Sequence, residues 1–408
     1  MDLGRLCSEG MDFLKRQKQP FKINMLRVSF QSFLIALLVY YQSIYLTVLG
    51  ATPTQVGLAI GIGGAAGAVV AFPAGWLADR YGVKKMLLLG TLVMTLGAIV
   101  LALASNWITA IPGLFMNTLG FVLTDTVCPL VCGGCLSNKE RGTGMQLCDT
   151  ISTIPRLLAP ILGAILVTWF GGMVIRGIRP LYYLQFAGFV LLLAFTYSKF
   201  SNPIKTNSEN KLDLRSHLDE IFRRGRMVRR WIIYRALSSF GFIIGFQAGF
   251  VPLYANLVKH SNQEVLGIMG STFMVVPIIL SVLIGKLADT FGRKRILYIT
   301  IPAYCLSMAI LILAQDVKTL ILSSLFQGFL LVNLTNEETM TIELVPVNFL
   351  GTWCGLLALT RGVTSIVAPI IAGQIWDLLG PSSVFLFVIC VELALVPLLL
   401  TMPETLNR

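Results

Sequence analysis

The sequence predicts an all-α membrane protein: twelve transmembrane helices in two pseudo-symmetric six-helix bundles. Three observations predict it. Of 408 residues, 55% are hydrophobic and 13% charged, and the mean hydropathy is +0.78, too apolar for an ordinary water-soluble domain. The apolar residues fall into twelve runs, each close to the roughly 20 residues a helix needs to cross about 30 Å of hydrocarbon. One phrase also occurs twice, 210 residues apart: Gly75-Trp76-Leu77-Ala78-Asp79-Arg80-Tyr81-Gly82-Val83-Lys84-Lys85 and Gly285-Lys286-Leu287-Ala288-Asp289-Thr290-Phe291-Gly292-Arg293-Lys294-Arg295. Each copy joins two apolar runs, as in a duplicated bundle whose halves face one another.

The spans are expected near 25–50, 54–78, 85–104, 107–136, 141–171 and 180–199, then near 231–258, 263–288, 295–314, 318–346, 349–379 and 382–402. The halves are then 1–199 and 231–408, joined by a cytoplasmic linker over 200–230. Several charges precede span one, unlike a cleaved secretory signal. Span one carries Gln31, Tyr41, Gln42 and Tyr45 near one face, which suits either ligand contact or packing. Spans two and three meet at the first phrase, where glycines permit a tight turn and close helix approach. Span four holds Asp125 and the series Cys128, Cys132 and Cys135. That spacing matches an iron–sulfur motif, but on a transmembrane helix packing is favoured and no metal is expected. In span five, Asp149 and Arg156 lie seven residues apart on roughly one face.

After span six comes the longest polar stretch. Its Leu212, Leu214, Leu218, Ile221 and Phe222 have partial helical spacing, consistent with a helix on the membrane surface or with a solvated tether. Span seven offers Phe242, Phe246, Gln247, Phe250 and Tyr254, and spans eight and nine meet at the second phrase. Span ten contains Asn333, Asn336, Glu337, Glu338 and Glu343, span eleven Arg361, and span twelve Glu392. Further landmarks repeat at nearly the same offset: Gly142-Thr143 with Gly351-Thr352, Ala159-Pro160 with Ala368-Pro369, and Gly171 with Gly380.

The net charge of +12 reports topology. One side receives Arg5, Lys15, Arg16, Lys18, Lys22, Arg27, Arg80, Lys84, Lys85, Lys139, Arg141, the linker and Arg293 to Arg295; the other receives Arg176, Arg179, Lys259 and Lys318. The positive-inside rule then places both termini in the cytoplasm of a multi-pass protein of the cell membrane, plasma or inner, and gives no reason to expect nucleic acid as a partner. No nucleotide-binding phrase is present and no cofactor is expected. The two histidines, His217 and His260, lie outside the spans, and no nucleophile with a supporting base is visible, so the chain does not read as an enzyme.

At the two phrases the chain resembles the major facilitator superfamily, whose loop between helices two and three carries a G-x-L-A-D-x-x-G-R-K-type motif, often echoed between helices eight and nine. The resemblance covers essentially the whole chain, although the first copy has Val83 where the family usually has Arg. It implies the major facilitator fold, alternating access and a small-molecule substrate, with the protein acting as a monomer in the bilayer. It also implies a conformational latch of Gly75, Asp79, Arg80, Gly82, Lys84, Gly285, Asp289, Gly292, Arg293 and Lys294. In the family Asp79 would engage the start of span eleven and Asp289 the start of span five. Glu343 is placed to pair with Arg293 or Lys294, and its repeat counterpart is Gly134. Pro155 to Ala164 is similar to the G-P-x-x-G-G element of antiporter branches, with Ala159 and Ala164 replacing glycines.

A charge near the bilayer centre costs about 3 kcal/mol on insertion scales, so retained charges face a partner or water. The family fold lines its central path with helices one, four, seven and ten, which brings the buried charges around one cavity. In one reading Asp125, Asp149, Glu337 or Glu338 carries protons, giving proton-coupled export of a small organic or amphipathic molecule. Adjacent glutamates diverge by about 100°, so at most one of Glu337 and Glu338 is expected to face the cavity directly. In another, Arg156 and Arg361 clamp an organic anion, with Gln31, Tyr41, Gln42, Tyr45, Phe246, Gln247, Asn333 and Asn336 as further contacts. The bland reading is that these charges are interhelical ion pairs, and a non-transporting sensor on the same scaffold is a third class. Glu392, on a peripheral span, is expected to be a hydrogen-bonded neutral acid.

Overall fold

The computed structural model describes residues 16–135, 141–201, 226–344, 350–402 and 404; the side chains of 71–80, Cys128, Cys132, Asp149 and Asp289 lie outside the described residues, as does nearly all of the linker. Eleven helices among the described residues are long and apolar enough to cross a bilayer. The twelfth span is a bent pair, Arg226–Gln247 with Phe250–Leu257, turned by 46°. The spans are α1 (Gln19–Val39, continued by Gln42–Val48), α2 (Pro53–Tyr81), α3 (Val83–Leu103), α4 (Trp107–Cys135), α5 (Arg141–Trp169) and α6 (Ile175–Lys199). They continue as α7 (Arg226–Phe242, a π-helical stretch Ile243–Gln247, and Phe250–Leu257), α8 (Gln263–Phe273 and Val275–Phe291), α9 (Arg293–Leu313), α10 (Val317–Gln327 and Phe329–Glu343), α11 (Leu350–Leu379) and α12 (Pro381–Leu400).

The duplication seen in sequence recurs in packing. In the first half α1 packs on α5 and α6, α2 on α4, and α3 on α4 and α6; in the second α7 packs on α11 and α12, α8 on α10, and α9 on α10 and α12. Single glycines make the two signature turns, Gly82 between α2 and α3 (φ +85°) and Gly292 between α8 and α9 (φ +103°). A side chain there would be strained, which explains their place in both phrases.

Helix ends are capped in parallel fashion. Lys84 Nζ donates to the Tyr197 carbonyl at the end of α6 at 2.8 Å, and Lys294 Nζ to the Met402 carbonyl just past α12 at 2.6 Å. At the opposite end of the bundle Arg179 donates to Ala104 O at 2.5 Å, and Lys259 to Ala314 O at 2.7 Å, just past α3 and α9. A cation beside exposed carbonyls at a helix C-terminus is favourable electrostatically.

The halves meet along α2 with α11 and α5 with α8, at the end remote from the chain termini, called distal below. A Cβ placed on Gly57 would lie 2.1 Å from the Pro369 carbonyl oxygen, and one on Gly64 2.6 Å from that of Ser365. On α8, a Cβ at Gly270 would lie 2.7 Å from Pro160 Cβ. Missing side chains thus let backbones touch, the usual device for helix association in lipid. Hydrogen bonds join the same layer, from Tyr41 Oη to Gln263 O at 3.1 Å, Ser43 Oγ to Gly249 O at 2.8 Å and Ser271 Oγ to Leu157 O at 2.6 Å.

Candidate functional site

Nine residues into α7, Arg235 projects onto α10 and pairs with Glu337. Glu337 is 1% exposed, and its other oxygen accepts from Ser238 Oγ at 2.7 Å and Tyr234 Oη at 3.1 Å. Tyr234 and Ser238 share a face of α7 because they are four residues apart. The floor of the cluster is rigid: Tyr234 stacks on Trp231 with centroids 5.0 Å apart, while Trp231 and Trp353 both donate to Thr341 at 3.0 Å. Burial of this carboxylate is thus matched by a guanidinium and two hydroxyls, the condition for a buried ion pair to persist.

Arg361 on α11 keeps accessible surface although protein atoms surround it closely, as expected of a side chain lining an enclosed space, and its guanidinium lies 4.9 Å from the centre of the Phe242 ring, a cation–π distance. Arg235, Glu338, Asp125 and Glu337 all act on it electrostatically. Asp125 belongs to α4 of the first half, and both it and Glu338 are exposed, so these charges border a water-accessible space between the halves. Phe246 continues the aromatic wall, 5.7 Å from Phe242 and stacked on Phe273 at 4.9 Å. Gln247 beside it is exposed. The π stretch that carries Phe246 and Gln247 widens the turn of α7 where it passes this space, and Gly249 in the left-handed region (φ +67°) completes the bend.

The first half holds a different network. Arg27, 1% exposed, donates to Asn24 Oδ1 at 3.0 Å and to Gln31 Oε1 at 2.6 Å, and Gln31 passes the chain to Thr124 Oγ1 on α4 at 2.9 Å. Arg156 is half-buried and donates to Ser32 Oγ on α1 at 3.0 Å. Tyr41 belongs to the distal seal, and Tyr45 packs within its own half, with its hydroxyl on Leu101 O at 2.9 Å and its ring 4.8 Å from Tyr182. Gln42 is half-buried. On α10 Asn333 and Asn336 are buried; Asn336 bonds Val332 O at 3.0 Å, and Asn333 Oδ1 has no hydrogen-bond partner.

At the second signature turn Arg293 Nε bonds Glu343 Oε1 at 2.8 Å, and Glu404 accepts from the backbone N–H groups of Arg293 and Lys294 at 3.1 and 3.2 Å. Gly75, Asp79, Arg80, Asp149 and Asp289 lie outside the described side chains. Cys135 is a free buried thiol, and among the described residues no three His, Cys, Asp or Glu side chains are grouped to hold a metal ion.

Two side chains of this region were absent from the candidates read in the sequence. Arg235 sits close behind Arg229 and Arg230, so the run reads as a basic flank to the linker, yet its spacing from Tyr234 and Ser238 was the available signal. Arg27 reads as one of the positive flanking residues but is enclosed within α1. Glu392, expected to be hydrogen-bonded, is 2% exposed and its Oε1 has no hydrogen-bond partner; it is inside the second bundle, because α12 turns it toward α7 and α9.

Two repeated six-helix units that seal at one end over a charged, water-accessible space define a polytopic membrane protein of the transporter class. The Major Facilitator Superfamily profile matches residues 25–266 and 259–407, and the chain belongs to that family. It is 24% identical over 361 residues to an uncharacterized MFS-type transporter of Methanocaldococcus jannaschii, an alignment covering 85% of this chain and 88% of the relative. It is also 32% identical over 130 residues to the bacillibactin exporter of Bacillus subtilis, covering 30% of this chain and 32% of that one. Among solved structures, a mutant of the nucleoside transporter NupG superposes with a TM-score of 0.77 at 16% identity, over 94% of this chain and all of the other. That likeness establishes the fold.

Proposed function

We propose that the protein is a secondary active transporter that works by alternating access and exports a small organic or amphipathic molecule in exchange for protons. The observation that carries this reading is the Glu337–Arg235 pair, buried in one half yet bordering the space between the halves. Under the sidedness given by the basic residues, with both termini cytoplasmic in the cell membrane, the distal seal is the extracellular gate and the described state faces inward. In that state Glu337 is paired with Arg235. Cargo enters from the cytoplasm, the halves rock, and a proton from outside neutralises Glu337 and releases Arg235, favouring return. Asp125 and Glu338 are further proton carriers within the same space, and Asp149, known from the sequence alone, is another candidate. The latch residues Asp79 and Asp289 act at the opposite gate when it closes, and the Arg293–Glu343 pair holds one turn of that latch. The bacillibactin exporter relative supports the outward direction, and the transporter acts as a monomer.

A second reading, exchange of an organic anion, is favoured by the exposed Arg361 guanidinium over Phe242, with Arg156 as a second cation. Both are tested in vesicles of phosphatidylethanolamine and phosphatidylglycerol holding a pH dye, challenged with a panel of amphipathic cations, organic anions and nucleosides. Proton antiport predicts cargo flux that moves protons oppositely and stops in Glu337→Gln. Anion exchange predicts flux indifferent to the pH gradient and to replacement of Asp125, Asp149 and Glu337, but lost in Arg361→Ala. Thermal stabilisation by a compound that never crosses would instead indicate a sensor.

A further inference from the structure

Glu392 is the buried acid that the exchange mechanism leaves unused. It is the twelfth residue of α12 and so lies near mid-membrane. Its Oε1 rests against the backbone of α7: a Cβ built on Gly241 would come within 2.0 Å of it and within 3.2 Å of the Tyr304 ring. Only a glycine leaves room for the carboxyl at that spot. The Tyr304 hydroxyl is already committed, donating to the Gly241 carbonyl at 2.9 Å. The acid is therefore seated in a fitted recess with one oxygen lacking a hydrogen-bond partner, a costly arrangement for an anion and a tolerable one for a neutral acid.

The recess opens on the same face of α7 as the Glu337 cluster. Tyr234, Ser238, Gly241 and Gly245 follow one another at spacings of four, three and four, so a single stripe of α7 faces both acids. Tyr234 donates to Glu337 and also interacts electrostatically with Glu392. The other titratable groups that interact electrostatically with Glu392 are Tyr304 and Cys305 from α9 and Glu337 from α10. From α11, which also packs on α12, Cys354 and Arg361 act instead with Glu338, Arg235, Asp125 and Glu337. Two residues beyond Gly241 the helix enters the π stretch Ile243–Gln247 and then bends. A change in that bend moves Gly241 against the carboxyl.

We propose that Glu392 is a second proton-binding site, which gains and loses its proton as α7 changes its bend and in response to the charge on Glu337. The step is balanced: in the closed recess the carboxyl is the neutral acid, and when the altered bend opens the recess its O–H bond breaks, the proton passes to water and the carboxylate remains. The inference rests on the proposed proton coupling at Glu337 and adds a storage position away from the water-accessible space.

The test is infrared difference spectroscopy of the protonated-carboxyl C=O band of the full chain in phosphatidylethanolamine–phosphatidylglycerol vesicles, titrated from mildly acidic to mildly alkaline pH. Expected is a band removed by Glu392→Gln, moved in frequency by Gly241→Ala, and titrating with a midpoint that shifts by about one pH unit, tenfold in proton affinity, in Glu337→Gln. A band removed by Glu392→Gln that ignores both pH and Glu337→Gln would make Glu392 a fixed structural acid, and absence of any such band would make it an anion; either overturns the proposal. Neither result touches the Glu337 reading, which fails separately if Glu337→Gln vesicles still couple proton and cargo flux.

Discussion

The two halves place an arginine at nearly the same point of their first helix, Arg27 in α1 and Arg235 in α7, 208 residues apart, yet they surround it differently. Arg27 is held by the amide oxygens of Asn24 and Gln31. Arg235 is held by the carboxylate of Glu337. At the 209-residue offset that relates Ala159 to Ala368, Glu337 falls opposite Cys128 and Asn333 opposite Thr124. Duplication has thus kept the scaffold and the buried cation while changing side chains around it. An amide partner cannot change charge, whereas a carboxylate can, so the Arg235–Glu337 pair is where the proposed proton response is tested first.

The comparison breaks most visibly if the carboxylate is removed. Glu337→Gln is expected to abolish proton-coupled flux, and Arg235→Gln, which strands a buried carboxylate, to cost about 3–5 kcal/mol of stability. The double variant recovers stability in thermal unfolding but not coupling. In the first half, replacement of Arg27 by Met removes its hydrogen bonds to the Asn24 and Gln31 amides and is expected to cost about 1–3 kcal/mol in thermal unfolding. Gly57→Val should prevent closure at the distal seal, because even a Cβ there overlaps Pro369; labelling of an engineered cysteine on the distal side then rises. The smallest effect is at the loop before α10, where Asp316 caps the helix by accepting from Thr319 N at 2.9 Å. Hydrogen bonds from the Thr319 hydroxyl and N–H hold this exposed carboxyl below its usual range. Its stabilising contribution is present above the ordinary carboxyl range and is lost as pH falls through the lowered value. Asp316→Ala should therefore give a slight loss of thermal stability at neutral pH and none in strong acid.

Much of the architecture was legible because length and hydropathy are decided locally. Each expected span meets an observed helix, and the glycine turns at Gly82 and Gly292 follow from the repeated phrase. What escaped depends on partners distant in sequence. Tyr45 lies on the polar face of span one, but its hydroxyl finds Leu101 and its ring finds Tyr182. The π stretch in α7 has no periodicity of its own, since apolar residues surround it on all sides. Arg235 was hidden by the arginines before it, and only the fold brings it to Glu337, 102 residues away. Glu338 and Glu337 are neighbours in sequence, yet the turn of α10 exposes one and encloses the other.

Spin labels at Ser105 and Gln315, exposed residues in the distal loops of the two halves, report directly on whether protonation of Glu337 moves the bundles. In lipid vesicles the distance distribution should shift between mildly acidic and mildly alkaline pH in otherwise wild-type protein, and stay fixed in Glu337→Gln. An equal pH-dependent shift in Glu337→Gln would contradict the account.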